Sequence, residues 1–197
     1  MKKFLFALCV ATMVSVTAPL PAIAGGGVEA GAAAPEFTLK DQAGHEVKLS
    51  DTAGKIRVLE WVNPDCPFVK RHYEAGTMNR LAKAYAGKGV VWMAINSTNY
   101  MDAAASAAFL EANSLSYPIL IDSSGEVGHA YGARTTPHIF IIDGDGRVAY
   151  QGAIDDDPRG TKDKAENYVE TVLNELLAGK AVSITETKPY GCSVKYK

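Results

Sequence analysis

Two of the chain's three cysteines are placed to do chemistry. Cys66 closes the segment Val58-Leu59-Glu60-Trp61-Val62-Asn63-Pro64-Asp65-Cys66-Pro67-Phe68-Val69-Lys70, in which an apolar run suited to a buried strand stops at a polar turn and a helix-compatible stretch follows. Proline is favoured in the first turn of a helix, so Cys66 is expected at or beside the N-cap. The unpaired N–H groups and the dipole at that end favour an anion, and thiolate is the reactive form of cysteine. Asp65 works the other way, because a neighbouring negative charge opposes ionisation. Cys66 is the candidate nucleophile. Position 69, where a second cysteine would complete a C-x-x-C, is valine, so an ordinary dithiol cycle within one helical turn is excluded.

Cys192 lies near the far end of the chain. If that end folds back, Cys192 can bond to Cys66, as the resolving cysteine of a sulfenic-acid cycle or as half of a permanent staple. A loop that long would stabilise the fold by about 5 kcal/mol in the chain-entropy model. Both readings predict the same bond; they differ in how easily it is reduced.

The remaining polar residues carry weaker signals. His45, His72, His129 and His138 read as solvent or core histidines, and His72 falls on a different helical face from Cys66, which makes it a poor general base. No histidine or cysteine spacing matches a metal motif, so no metal is expected, and no organic cofactor is needed where sulfur carries the electrons. Asp155-Asp156-Asp157-Pro158 reads as a solvated acidic turn ending a strand. Trp61 and Trp92 sit in strand contexts and are expected in the core.

Residues 1–24 read as a signal peptide: Lys2 and Lys3, an apolar core from Phe4 to Ala18 that contains Cys9, and a small-x-small site at Ala22-Ile23-Ala24 with cleavage expected between Ala24 and Gly25. The apolar core is short against the roughly 20 residues of a membrane span. This predicts a periplasmic or secreted protein with no stable membrane association after cleavage. Loss of Lys2 and Lys3 takes the formal charge from −2 to −4 and leaves no basic stripe, which excludes nucleic acid as a partner. In an oxidising compartment the two remaining thiols are expected to pair, with each other or transiently with a partner.

These residues must be held by an α/β scaffold. Residues 25–34 read as a flexible leader with almost no bulky apolar side chain. Phe37–Leu39 and Val47–Leu49 flank a turn at Asp41–Gly44, a small N-terminal hairpin. Ile56–Val62 and Val90–Ile95 read as buried strands. The helix after Cys66 is kinked or restarted at Gly76-Thr77, and Asp102 caps a helix running to about Asn113. Tyr117–Ile121 is a short strand, Glu126–Tyr131 one or two helical turns, and His138–Asp143 with Arg147–Gln151 a hairpin about Gly144-Asp145-Gly146. Asp163–Ala178 is an amphipathic helix, and residues 179–197 form a C-terminal tail carrying Cys192. The order predicts a central mixed sheet flanked by helices, parallel at its crossovers and antiparallel at the final hairpin. Cys66 then stands at the carboxyl end of the first buried strand, where open α/β sheets place function.

Three segments carry a resemblance. Trp61–Lys70 (WVNPDCPFVK) resembles the active-site strand-turn-helix of the thioredoxin fold. Tyr131–Asp143 (YGARTTPHIFIID) resembles the loop whose proline is cis in thioredoxin relatives. Phe37-Thr38-Leu39-Lys40-Asp41 with Leu49-Ser50-Asp51 resembles the N-terminal hairpin of redoxins. The chain is thus similar to the redoxin branch that holds alkyl hydroperoxide reductase/thiol-specific antioxidant-like and peroxiredoxin-like proteins, over residues 35–178. Cys66-Pro67-Phe68-Val69-Lys70 with the terminal Gly191-Cys192-Ser193-Val194-Lys195-Tyr196 resembles an uncharacterised peroxiredoxin-like subgroup.

The resemblance implies an exported thiol oxidoreductase with antioxidant activity. Cys66 attacks a peroxide or disulfide, Cys192 resolves, and an external thiol reductant restores the pair. It implies a substrate and partner groove shaped by Asn63, Pro67, Thr136 and Pro137, in which the Thr136 backbone can pair with an incoming extended chain. Peroxiredoxins carry threonine or serine three residues before the reactive cysteine and an arginine nearby; here Asn63 stands in the first place and Pro137 lies near the second. The alternative is a non-catalytic thioredoxin-fold binding or metal-handling protein with a structural Cys66–Cys192 disulfide.

Overall fold

The computed structural model describes residues 27–197. The expected signal peptide and its cleavage site lie outside the described residues. Among those described, no helix is long and apolar enough to cross a membrane.

The element order is β1 (Thr38–Asp41), β2 (Glu46–Lys48), β3 (Ile56–Trp61), α1 (Pro67–Glu74), α2 (Thr77–Ala86), β4 (Val90–Asn96), α3 (Ala103–Ala112), β5 (Ile119–Ile121), α4 (Glu126–Tyr131), β6 (Thr135–Thr136), β7 (His138–Ile142), β8 (Val148–Gly152), α5 (Tyr168–Leu177) and β9 (Cys192–Ser193). Seven strands form one sheet in the order β2-β1-β5-β4-β3-β7-β8, and β6 pairs with β9 apart from it. β3, β4 and β5 run parallel, whereas β7 and β8 are antiparallel to their neighbours and the β1–β2 hairpin adds antiparallel to β5. This is a thioredoxin-like α/β fold.

Alternation along β3 divides the core between two faces. Val58 faces a cluster that includes Val69 and Tyr73 of α1, Met78, Leu81 and Tyr85 of α2, and Val169, Val172 and Leu173 of α5. Leu59 and Trp61 face the other side, with Met93, Ile95, Phe140, Ile142 and Tyr131. Both faces are covered, which is why the sequence of this strand is nearly continuous in apolar residues. Glu60 is the exception: it is fully buried yet takes hydrogen bonds from Trp92 Nε1 and Tyr73 Oη, both at 3.0 Å. Burial pushes its carboxyl up to about 7 against these donors.

Two expectations about element limits change. Residues 27–34 are packed rather than flexible: Gly31 N donates to Val148 O at 2.7 Å, Ala34 N to Gly146 O at 2.9 Å, and Val28 fills the second core cluster. Gly27 is the one small residue here that close packing requires, since a Cβ on it would meet Gly132 Cα at 2.7 Å. The last helix begins at Tyr168, not Asp163, because the Asn167 side chain accepts from Glu170 N and caps it there.

Candidate active site

Strand β3 delivers the chain to Asn63, and the loop Asn63–Cys66 turns it into α1. Asn63 Oδ1 accepts from Asp65 N at 2.8 Å, Cys66 N donates to Asn63 O at 2.9 Å, and Lys70 N donates to Cys66 O at 2.9 Å. Cys66 is the N-cap of α1, in extended conformation, with Pro67 exposed in the first turn. Asp65 is exposed beside it.

The Thr136–Pro137 peptide bond is cis. It brings the Thr136 carbonyl over the helix start, where the Cys66 thiol donates to it at 2.9 Å. Strand β9 pairs antiparallel with β6, and the register sets Cys192 opposite Thr136 and Ser193 opposite Thr135. The tail therefore folds back, and the two cysteines stand side by side as free thiols. Cys66 is 2% exposed and Cys192 is partly exposed.

The two sulfurs titrate unequally. Burial pushes the Cys66 thiol up, but hydrogen bonds from the Cys192 thiol, the Thr136 side chain and the Val69 N–H outweigh it and hold Cys66 below the usual cysteine value. Cys192 goes the other way, pushed up to about 11 by burial and by its hydrogen bond and charge repulsion with Cys66. Of the two thiols, Cys66 is therefore the one that gives up its proton first, with Cys192 as a donor to it.

Sequence reasoning missed what holds the tail. Tyr190 donates to Asp155 and sits 2.9 Å from His72 Nε2 and 3.4 Å from an Arg71 nitrogen, with its ring packed on Phe68. The acidic run is accordingly no solvated turn. Asp155 and Asp157 are buried, and Asp157 accepts backbone N–H groups from Thr161 and Lys162 at 3.0 and 2.9 Å. Burial drives His72 down to about 4, against the pull of Asp155, so it sits neutral in this cluster. At the other end Tyr196 stacks on His129 at 4.0 Å and donates to Ala133 O at 2.7 Å. Asn99 adds hydrogen bonds to Lys195 O and Tyr196 O. No local pattern could link these residues; only the paired tyrosines flanking Cys192 hinted at anchors. His138, next to the cis proline, is buried with Nδ1 accepting from Arg134 N.

The AhpC/TSA family model matches residues 30–151. The chain belongs to the AhpC/TSA family. Within it, the chain is 33% identical over 147 residues to the thiol-disulfide oxidoreductase ResA of Geobacillus kaustophilus, covering 74% of this chain and 79% of that one. Two solved structures superpose with a TM-score of 0.79: a hypothetical protein of Sinorhizobium meliloti, 30% identical over 87% of this chain and 96% of that one, and an uncharacterized conserved protein of Geobacillus kaustophilus, 32% identical over 85% and 92%. Those shares exceed what the α/β core alone provides. Membership makes this a thioredoxin-fold redoxin and supports a thiol oxidoreductase.

Proposed function

We propose that the protein is an exported thiol oxidoreductase in which Cys66 is the reactive thiol and Cys192 resolves the species formed on it. The observation that carries this reading is the register of β9 against β6, with Cys192 across from Thr136 and beside Cys66. A dithiol pair is thus assembled from opposite ends of the fold, in place of the absent C-x-x-C. Export rests on the character of residues 1–24, and the Asn63, Pro67, Thr136 and Pro137 surfaces are the proposed rim of the groove.

Disulfide exchange is the leading reaction. Cys66 thiolate attacks one sulfur of a substrate disulfide, forming a mixed disulfide and releasing the first thiolate. Cys192 then attacks Cys66 Sγ, closing the Cys66–Cys192 bond and releasing the second, so the substrate leaves as two thiols and the protein holds the disulfide. An external thiol reductant restores the dithiol. Asn63 favours this reading over peroxidase chemistry: it has no hydroxyl, and its amide is engaged by Asp65 N and donates to Tyr100 Oη at 3.3 Å. Peroxide is the second oxidant, supported by the depth of Cys66, which a small molecule reaches more readily than a protein does. In that case Cys66 gives a sulfenic acid with loss of ROH, and Cys192 condenses with it, releasing water.

The test is oxidant consumption with dithiothreitol as reductant. Wild type should turn over, Cys66→Ser should not, and in a single turnover without dithiothreitol Cys192→Ser should stop as a mixed disulfide or sulfenic acid on Cys66. A fixed staple in a binding or metal-handling protein predicts instead a disulfide with a potential below about −300 mV and no turnover.

A further inference from the structure

The tail does more than carry Cys192. Its beginning runs along the edge of β8, with Gln151 N donating to Thr185 O and Thr187 N to Gln151 O, both at 3.1 Å. It is then fixed at Tyr190, crosses the site as β9, and is fixed again at Tyr196. Between the anchors, its backbone occupies the edge of β6: besides the Thr136–Cys192 and Thr135–Ser193 register, Val194 N donates to Arg134 O at 3.1 Å. An unoccupied strand edge is a template for another extended chain. Here the edge beside the reactive sulfur is already filled by the protein's own residues.

Glycines confirm that this seat is built for the tail. Gly191 has φ of +134°, and a Cβ there would collide with the Thr136 carbonyl. Gly125 and Gly128 leave the space that the Tyr196 ring fills. The closeness on both sides is therefore a property of residues from three separate segments.

We propose that Tyr190–Tyr196 is a pseudo-substrate strap that restricts Cys66 to small disulfides and other small oxidants, and holds polypeptide disulfides out until both tyrosine anchors release. The inference rests on Cys66 as the reactive thiol. A small disulfide needs only local opening around Cys192. A polypeptide must take over the β6 edge, which requires the whole strap to leave, and its apparent affinity falls by the fraction of molecules that are open. In both cases the exchange is the one given above: a substrate sulfur bonds to Cys66 and the other leaves as thiolate.

The test compares two disulfides that differ in size, oxidised glutathione and insulin, in a Cys192→Ser background so that the mixed disulfide accumulates. Its rate of formation is followed on the Cys66 peptide by mass spectrometry. Adding Tyr190→Ala and Tyr196→Ala should speed the reaction with insulin by about tenfold or more and that with glutathione by less than about threefold, because only the former waits for the open population. Equal acceleration of both, or no acceleration with insulin, would overturn the strap. If neither reagent modifies Cys66 in any variant, the reactive-thiol reading fails first and the strap with it. Should the alanine pair not fold, Tyr190→Phe with Tyr196→Phe removes the hydroxyl contacts and keeps both rings. Amide exchange at Val194 then reports release, and the same rate comparison applies.

Discussion

Cys192 stands directly across an antiparallel pair from Thr136, the residue whose carbonyl accepts the Cys66 thiol at 2.9 Å. One short ladder thereby couples the C-terminal tail, the cis-proline loop and the start of α1. Cys192 sits in this ladder between the anchors at Tyr190 and Tyr196.

The part this ladder plays is testable at Gly191. Gly191→Ala puts a Cβ against Thr136 O at a positive φ, so β9 should lift from β6 while the core stays intact. Oxidant-driven closure of the Cys66–Cys192 disulfide should slow by about tenfold or more, as expected when the resolving group loses its alignment. Stopped-flow with acid quench and alkylation measures it; closure at the wild-type rate would show that the pairing does not position Cys192.

The unequal titration of the two sulfurs predicts a pH profile. Alkylation of Cys66 by iodoacetamide should have its midpoint below the roughly 8.5 of free cysteine. Cys192→Ala removes a donor to the thiolate, so the Cys66 midpoint should move up. A midpoint that stays put or falls in the variant contradicts Cys192 as a donor to Cys66.

Glu60 predicts a second pH effect, on stability. Its carboxyl is raised in the fold to about 7, above the 4.5 of an ordinary glutamate. Between those values the unfolded chain has lost the proton and the folded one keeps it, so stability falls as pH rises through this window and levels off above it. The loss is of the order of 3 kcal/mol, at about 1.4 kcal/mol per pH unit. Glu60→Gln should remove that slope relative to wild type in urea titrations at pH 5 and 8. Parallel curves for the two proteins would exclude Glu60 as its source.

Val69 offers a rerouting experiment. It is fully buried one turn into α1, and its N–H serves the Cys66 sulfur. Val69→Cys creates the missing C-x-x-C, whose nearby thiol should compete with Cys192. Disulfide mapping should show Cys66 linked to position 69 in a substantial share of molecules, with the tail cysteine free. Exclusive bonding to Cys192 would mean that the strap outcompetes a neighbour in the same helical turn.

Much of the fold was legible because its signals are local. The apolar run at Ile56–Trp61, the Asp102 cap, the restart at Gly76-Thr77 and the hairpin about Gly144-Asp145-Gly146 each follow from residues close in sequence. Cys66 at an N-cap before Pro67 was legible for the same reason. The tail was not. Tyr190 finds Asp155 and His72, and Tyr196 finds His129 and Ala133, across sequence separations that no periodicity encodes. The Asp155–Asp157 run reads as solvated because its half-buried partner Tyr190 lies 35 residues further along the chain. Residues 27–34 misled in the opposite sense, since a small residue such as Gly27 serves close packing as well as flexibility.

The most direct measurement is a disulfide map of the reduced protein after one equivalent of oxidised glutathione, quenched in acid, alkylated and digested. The account predicts a Cys66–Cys192 peptide pair that forms within the reaction and disappears on adding dithiothreitol. Both cysteines recovered as alkylated thiols, or glutathione retained on Cys66 while Cys192 stays free, would contradict it.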